Sequence, residues 1–187
     1  VNVRQFGAMG TSKTDNVSIY VDAGDDAPRI QAAVDYLYTQ AWPAGTVYIP
    51  AGGYNFKSTN IFIERYDDAF ARMGYIAPDS KITNFWDDYP RITVRGDGQA
   101  TVLMSATTNG FFVVRGKTNY ASYNNRIQNV KLSDMAMWHQ IRDHPGVFGV
   151  DVFNAGHITL ENLWIRRTYR AMRFAAISET LVKKCEM

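Results

Sequence analysis

Cysteine is almost missing from this 187-residue chain: Cys185 stands alone, which excludes an internal disulfide framework and a thiolate-built zinc site. Long apolar runs are missing too. None approaches the ~20 residues that cross a bilayer, so no membrane insertion is expected. Neither sign of charge dominates. Lys plus Arg number 20 against 18 Asp plus Glu, without the clustered basic surplus that wraps nucleic acid, and no nucleic-acid partner is expected. Histidines number 3, and their spacing matches no metal-ligand motif, so neither a metal nor another cofactor is expected. The opening VNVRQFGAMG carries neither the charged nor the apolar region of a signal peptide. What the chain does have is 46% hydrophobic residues spread evenly along it, enough to build a core by packing alone.

Two kinds of period divide the chain. In DDAPRIQAAVDYLYTQ, residues 25 to 40, Ile30, Ala33, Val34 and Leu37 recur at helical spacing. Asp25 or Asp26 can accept hydrogen bonds from the orphan first-turn amides, and Pro28 suits the opening turn, so the helix starts near 26. After AWPAG come short alternating runs rich in β-branched and aromatic residues: 46–50, 54–56, 60–64, 91–96, 101–105 and 111–116. These read as strands. The stretch from Arg65 to Pro90 has no sustained period and reads as a surface excursion.

The C-terminal third repeats at 22 residues: Val150, Val152, Ala155, Ile158, Leu160, Leu163 and Ile165 are matched by Met172, Phe174, Ile177, Thr180, Val182, Cys185 and Met187. Val130, Leu132, Met135 and Met137 repeat the pattern 28 residues before the positions that begin at Ile158. Alternation sends these residues to one face, and each two-residue polar break turns a corner, so short strands wind around one core. The expectation is all-β: a parallel β-solenoid whose N-terminal end is capped by the helix. One domain is expected over 1–187, with the turn and capping helix in 1–43 and the coils in 44–187, interrupted near 65–90. Because Met187 ends on a coil's last apolar position, the native protein is expected to continue beyond it as a longer β-helix, or another chain to cover that end.

Three ordered motifs carry a family resemblance: VNVRQFGAMG at 1–10, DDAPRIQAAVDYL at 25–37 and AGTVYIPAGGYNF at 44–56. Together they resemble the opening of the pectate-lyase-like right-handed parallel β-helix superfamily, and RITVRGDGQATVL at 91–103 resembles a later coil. That superfamily includes phage tailspikes and depolymerases, secreted hydrolases, pectate lyases and alginate epimerases. The resemblance implies a right-handed coil and a polysaccharide partner. Its first functional implication is a tailspike-like protein of a virion tail, homotrimeric, that binds and in its full-length form depolymerises a bacterial surface polysaccharide. A secreted, extracellular lyase or glycoside hydrolase of the same fold is the second, and a non-catalytic structural or adhesin module the third. The polygalacturonase-like catalytic motifs are absent, and the pair Asp87-Asp88 lies outside any coil. Catalytic residues are therefore expected beyond 187.

Candidate chemistry was sought where outward side chains stack. Glycoside hydrolysis needs two carboxyls ~5 Å apart for retention or ~6.5–9.5 Å for inversion. The repeat instead stacks Asp151 on Arg173, Glu161 between Ser133 and Lys183, and Glu179 on His157. With Asp143 these acids are the catalytic candidates, and opposite charges stacked on a solvated face are the simpler reading of the stacked ones. Asp134, Asn162 and Lys184 share one corner. For binding, two segments stand out. The loop WHQIRDHPG brings Trp138, His139, Arg142 and His144 together as either a sugar-binding groove or a decorated surface loop. LWIRRTYRAMR presents Trp164, Arg166 and Arg173 outward, suited to an acidic polysaccharide or to an interface between copies.

Overall fold

The computed structural model describes residues 1–11, 13–14, 19–20, 24–40, 44–75, 91–108, 110–117, 126–140 and 147–187. A 3-10 turn, Val3–Phe6, opens the chain and is followed by β1 (Lys13–Thr14) paired antiparallel with β2 (Ile19–Tyr20). Helix α1 (Ala27–Thr39) precedes β3 (Ala44–Tyr48), β4 (Gly52–Phe56) and β5 (Ile61–Glu64). Helix α2 (Tyr66–Arg72) comes next, then β6 (Arg91–Ser105), β7 (Phe112–Arg115), β8 (Ile127–Gln128), β9 (Lys131–His139), β10 (Phe148–Arg166) and β11 (Arg170–Lys183).

From β3 onward every strand pairing is parallel, within one sheet of nine strands. Its organisation is clearest at β10, which is too long to run straight. Residues 150–153 pair with β7, 155–156 with β8 and 159–166 with β9. Strand β11 then follows all three segments from Phe148 to Glu161. The result is a curled, β-helix-like parallel sheet around one apolar core.

The sequence repeat is the register. Val152 pairs with Phe174 and Leu160 with Val182, 22 residues apart, while Leu132, Met135 and Met137 pair with Leu160, Leu163 and Ile165 at 28. Val152 and Leu160 are fully buried, whereas Phe174 and Val182, on the outermost strand β11, are 36% and 41% exposed. Cys185 is partly buried against the core, as an inward position requires.

Corners repeat with the same spacing. Asn129, His157 and Glu179 take positive φ at 59°, 52° and 50°, Asp134, Asn162 and Lys184 at 60°, 51° and 51°, and Asn154 and Ala176 at 46° and 52°. A left-handed residue bends the strand without breaking its pairing, and Asn and Asp tolerate that conformation best. The Asn162 side-chain amide also donates to Asp134 Oδ1 at 2.8 Å, tying one corner to the next. Ala176 has no such compensation. Changing Ala176 to Gly should therefore stabilise the fold by about 0.5–1 kcal/mol, after allowing for glycine's freer unfolded chain. Thermal unfolding checks this, and a lower Tm would mean that the corner is not strained.

The N-terminal motifs act as one lock. Asp25, not Asp26, caps α1, accepting from Ala27 N–H at 3.2 Å. Asp26 is buried and instead joins two other segments, accepting from Met9 N–H at 2.7 Å and Asn55 N–H at 3.0 Å. Gly10 sits at φ 64° against the Tyr54 ring, where a β-carbon would collide at 2.7 Å. The apolar face of α1, Ile30, Ala33, Val34 and Leu37, is buried over the first strands as the cap was expected to be.

Within the stretch 65–90, residues 66–72 form α2, with Tyr66 and Ala69 buried against the core. Seven residues are too few to display a helical period, so only docking reveals them. The remainder of that segment, with Asp87 and Asp88, lies outside the described residues.

Helix α2 delivers Arg72 to a half-buried ionic cluster. Its guanidinium forks onto Asp35 at 2.7 and 3.0 Å and donates to Glu64 Oε2 at 2.7 Å. Burial alone would lower the Arg72 pKa, but the hydrogen bonds to Asp35 and Glu64 raise it above its ordinary value. Arg115 donates to the other Glu64 oxygen at 2.8 Å and lies over the Phe62 ring. Tyr38 closes the site by donating to the Glu64 carbonyl at 2.5 Å, and burial pushes its phenol well above the usual range. The Glu64 carboxylate thereby joins β5 to α2 and β7, and α1 is tied in through Asp35 on Arg72 and Tyr38 on the Glu64 backbone carbonyl.

Candidate polysaccharide-binding groove

Outward positions of β6, β9 and β10 form two columns. Val102, Ala136 and Trp164 occupy the first, continued by Glu186 beyond β11, and Met104, which is fully buried, Trp138 and Arg166 the second. Ala136 is the small member of its column, so its position sinks between Val102 and Trp164 of the adjoining strands, with Trp138 two residues along its own strand. The depression has a volume of about 210 Å³ and is lined by Gln99, Val102, Ala136, Trp138, Trp164 and Arg166. An adjoining cavity of about 410 Å³ shares Arg166 and adds Arg167, Thr168 and Glu186. The first is smaller than the ~300–1,000 Å³ of a whole small-molecule pocket, and the second lies in the lower part of that range.

Trp138 and Trp164, expected in two separate patches, thus wall one groove. Arg166 lies opposite Trp138 in the register, and the Arg167 guanidinium covers the Trp138 ring at 5.5 Å. The Trp138 indole N–H is buried with no hydrogen-bond partner among the described residues. Arg166 donates to Glu186 at 2.6 Å, and both side chains are more than half exposed.

Other expected binding residues lie elsewhere. His139 is fully buried at the end of β9, edge-on to Phe111 at 6.2 Å, so it does not line the groove. Alternation explains this, because Trp138 points out and its neighbour must point in. Arg173 is held on β11 by a two-pronged pair with Asp151 at 2.7 and 2.5 Å and lies over Phe148. Arg142, Asp143 and His144 lie outside the described residues.

The remaining acidic candidates are each paired with a basic side chain. His157 Nδ1 lies 2.7 Å from Glu179, and Glu161 lies 2.8 Å from Lys131 and 2.9 Å from Lys183. Sequence stacking had placed Lys183 beside Glu161, but Lys131 joins it from the other side. Hydrogen bonds from these two lysines hold the Glu161 carboxyl down to about 2. An acid ionised to that pH donates no proton near neutrality. Because its folded pKa lies below the unfolded value, its stabilisation is present above about pH 4.5 and is lost as pH falls toward 2. The melting difference between wild type and Glu161→Gln should therefore shrink across that window. A gap unchanged from pH 6 to pH 2 would contradict the pairing. Among the described residues, no three His, Cys, Asp or Glu side chains cluster as a metal site would need, and no helix is long and apolar enough to cross a membrane.

No family model matches the chain. Its fold resembles the ORF18 protein of Geobacillus virus E2, at a TM-score of 0.56 and 21% identity, covering 90% of this chain and 26% of that one. It also resembles the A-module of the Azotobacter vinelandii mannuronan C-5 epimerase AlgE4, at a TM-score of 0.55 and 19% identity, covering 97% and 41%. With the parallel register, these likenesses show a β-helix-like fold. Among curated proteins, the mannuronan C5-epimerases AlgE1 and AlgE3 of Azotobacter vinelandii are each 41% identical over 58 residues, 31% of this chain. The chain spans only 3% and 2% of their lengths.

Proposed function

We propose that this chain is the polysaccharide-binding part of a right-handed β-helix protein, carried on a virion tail or secreted, and that a uronate-bearing glycan lies along the Trp138–Trp164 groove. The observation that carries this reading is the register, which sets two indoles and Arg166 around the small Ala136 on one outward face. Aromatic faces hold the apolar faces of sugar rings, and an arginine fork matches a carboxylate. The likeness to a viral protein and to mannuronan epimerase modules supports the glycan and the extracellular setting. A homotrimeric tailspike is the first such setting, and a secreted polysaccharide-modifying enzyme the second.

Binding is the expected activity of these 187 residues, with little turnover, because the described outward acids of the coil repeat are matched with basic side chains rather than with a second carboxylate. Titration with polymannuronate, followed by calorimetry, should give saturable binding that Trp164→Ala weakens at least about fivefold, as truncation of an aromatic anchor does. Unchanged affinity in that variant would remove the groove from the account. Robust release of new reducing or unsaturated ends would overturn the assignment as a binding part.

A further inference from the structure

Resting on the reading above, we infer that Glu186 occupies the seat of a ligand carboxylate on Arg166 and thereby tempers the groove's preference for anionic sugars. The backbone of Glu186 is fixed in the ladder: its N–H donates to Leu163 O at 2.9 Å and its carbonyl accepts from Ile165 N–H at 2.9 Å. That pairing aligns Glu186 with Trp164 and points its side chain along the outward face toward Arg166. The carboxylate meets the guanidinium at 2.6 Å, at the residue common to both cavities. The pair is exposed on both sides, with side chains 58% and 57% accessible, so separating it costs little and no buried charge is stranded.

The consequence is an exchange. An acidic sugar seated on Trp164 can bring its carboxylate to Arg166 and release Glu186 to water, keeping the guanidinium paired throughout. A neutral sugar offers nothing to replace Glu186 and gains only the aromatic contact. Intramolecular pairing thus lowers affinity for the acidic ligand, while Arg166 supplies the discrimination.

The test compares polymannuronate with a neutral β-glucan by calorimetry on wild type, Glu186→Gln, Arg166→Gln and Trp164→Ala. Glu186→Gln should bind polymannuronate about threefold to fivefold more tightly, the size of one exposed ion pair, with no change toward the glucan. Arg166→Gln should lose the preference for the acidic polymer. If Glu186→Gln leaves polymannuronate affinity unchanged or lowers it while Trp164→Ala still weakens binding, the exchange is wrong and the groove assignment stands. If Trp164→Ala binds as wild type does, or if neither wild type nor Glu186→Gln binds saturably, the groove assignment fails and the exchange with it.

Discussion

Replacing Glu64 with alanine is expected to destabilise the protein by about 3–5 kcal/mol, the cost of leaving a partly buried ionic site without its central member. The Glu64 side chain is 2% exposed and receives hydrogen bonds from both Arg72 and Arg115. Without it, Arg72 retains Asp35 but loses one of two acids in a site shielded from water, and the link from α2 to β7 is lost. For a chain of this length, about 2–4 °C of Tm accompanies each kcal/mol, so a fall near 10 °C is expected. Arg115→Met provides the contrast. Its side chain is 48% exposed, and its removal leaves Glu64 paired with Arg72, so less than about 1 kcal/mol should be lost. Equal effects from the two substitutions would mean that burial of the carboxylate does not govern the site.

Leu160→Asp is expected to have the largest effect, abolishing soluble folded protein. Leu160 is fully buried between Leu132 and Val182, so the new carboxylate would meet only hydrocarbon on both sides and must stay ionised at a cost of several kcal/mol or bind a proton. Val182→Asp changes the same column one strand further on, where the position is 41% exposed, and it should be tolerated with a small loss. Soluble yield and thermal unfolding compare the pair. A folded Leu160→Asp protein with wild-type Tm would contradict the inward register on which the coil arrangement rests.

The candidate site was half legible in the sequence. Sequence reasoning singles out Trp138 in a loop and Trp164 and Arg166 as outward residues of a separate patch, although the 28-residue offset that pairs Leu132 with Leu160 also pairs Trp138 with Arg166 and Ala136 with Trp164. Extending that offset from the apolar to the polar positions would have joined them. The same alternation would have turned His139 inward. Glu186 carried no motif signal, because its importance comes from lying across a strand from Trp164.

What the sequence by itself determined was everything set by one-dimensional repetition. In a parallel coil the partner of each residue lies one repeat away, so a 22- or 28-residue period in hydrophobicity specifies register, corner positions and the inward face together. The amphipathic period and the acidic start of α1 likewise identified the cap. Only the tertiary structure decided α2, the cluster around Glu64 and the depth of the groove. Those depend on how elements of unrelated spacing dock: Arg72 meets Asp35 across 37 residues and Glu64 across 8, separations that no local period encodes. The groove exists because a small side chain, Ala136, stands between larger ones from adjacent strands, a relief that appears only when the strands lie side by side.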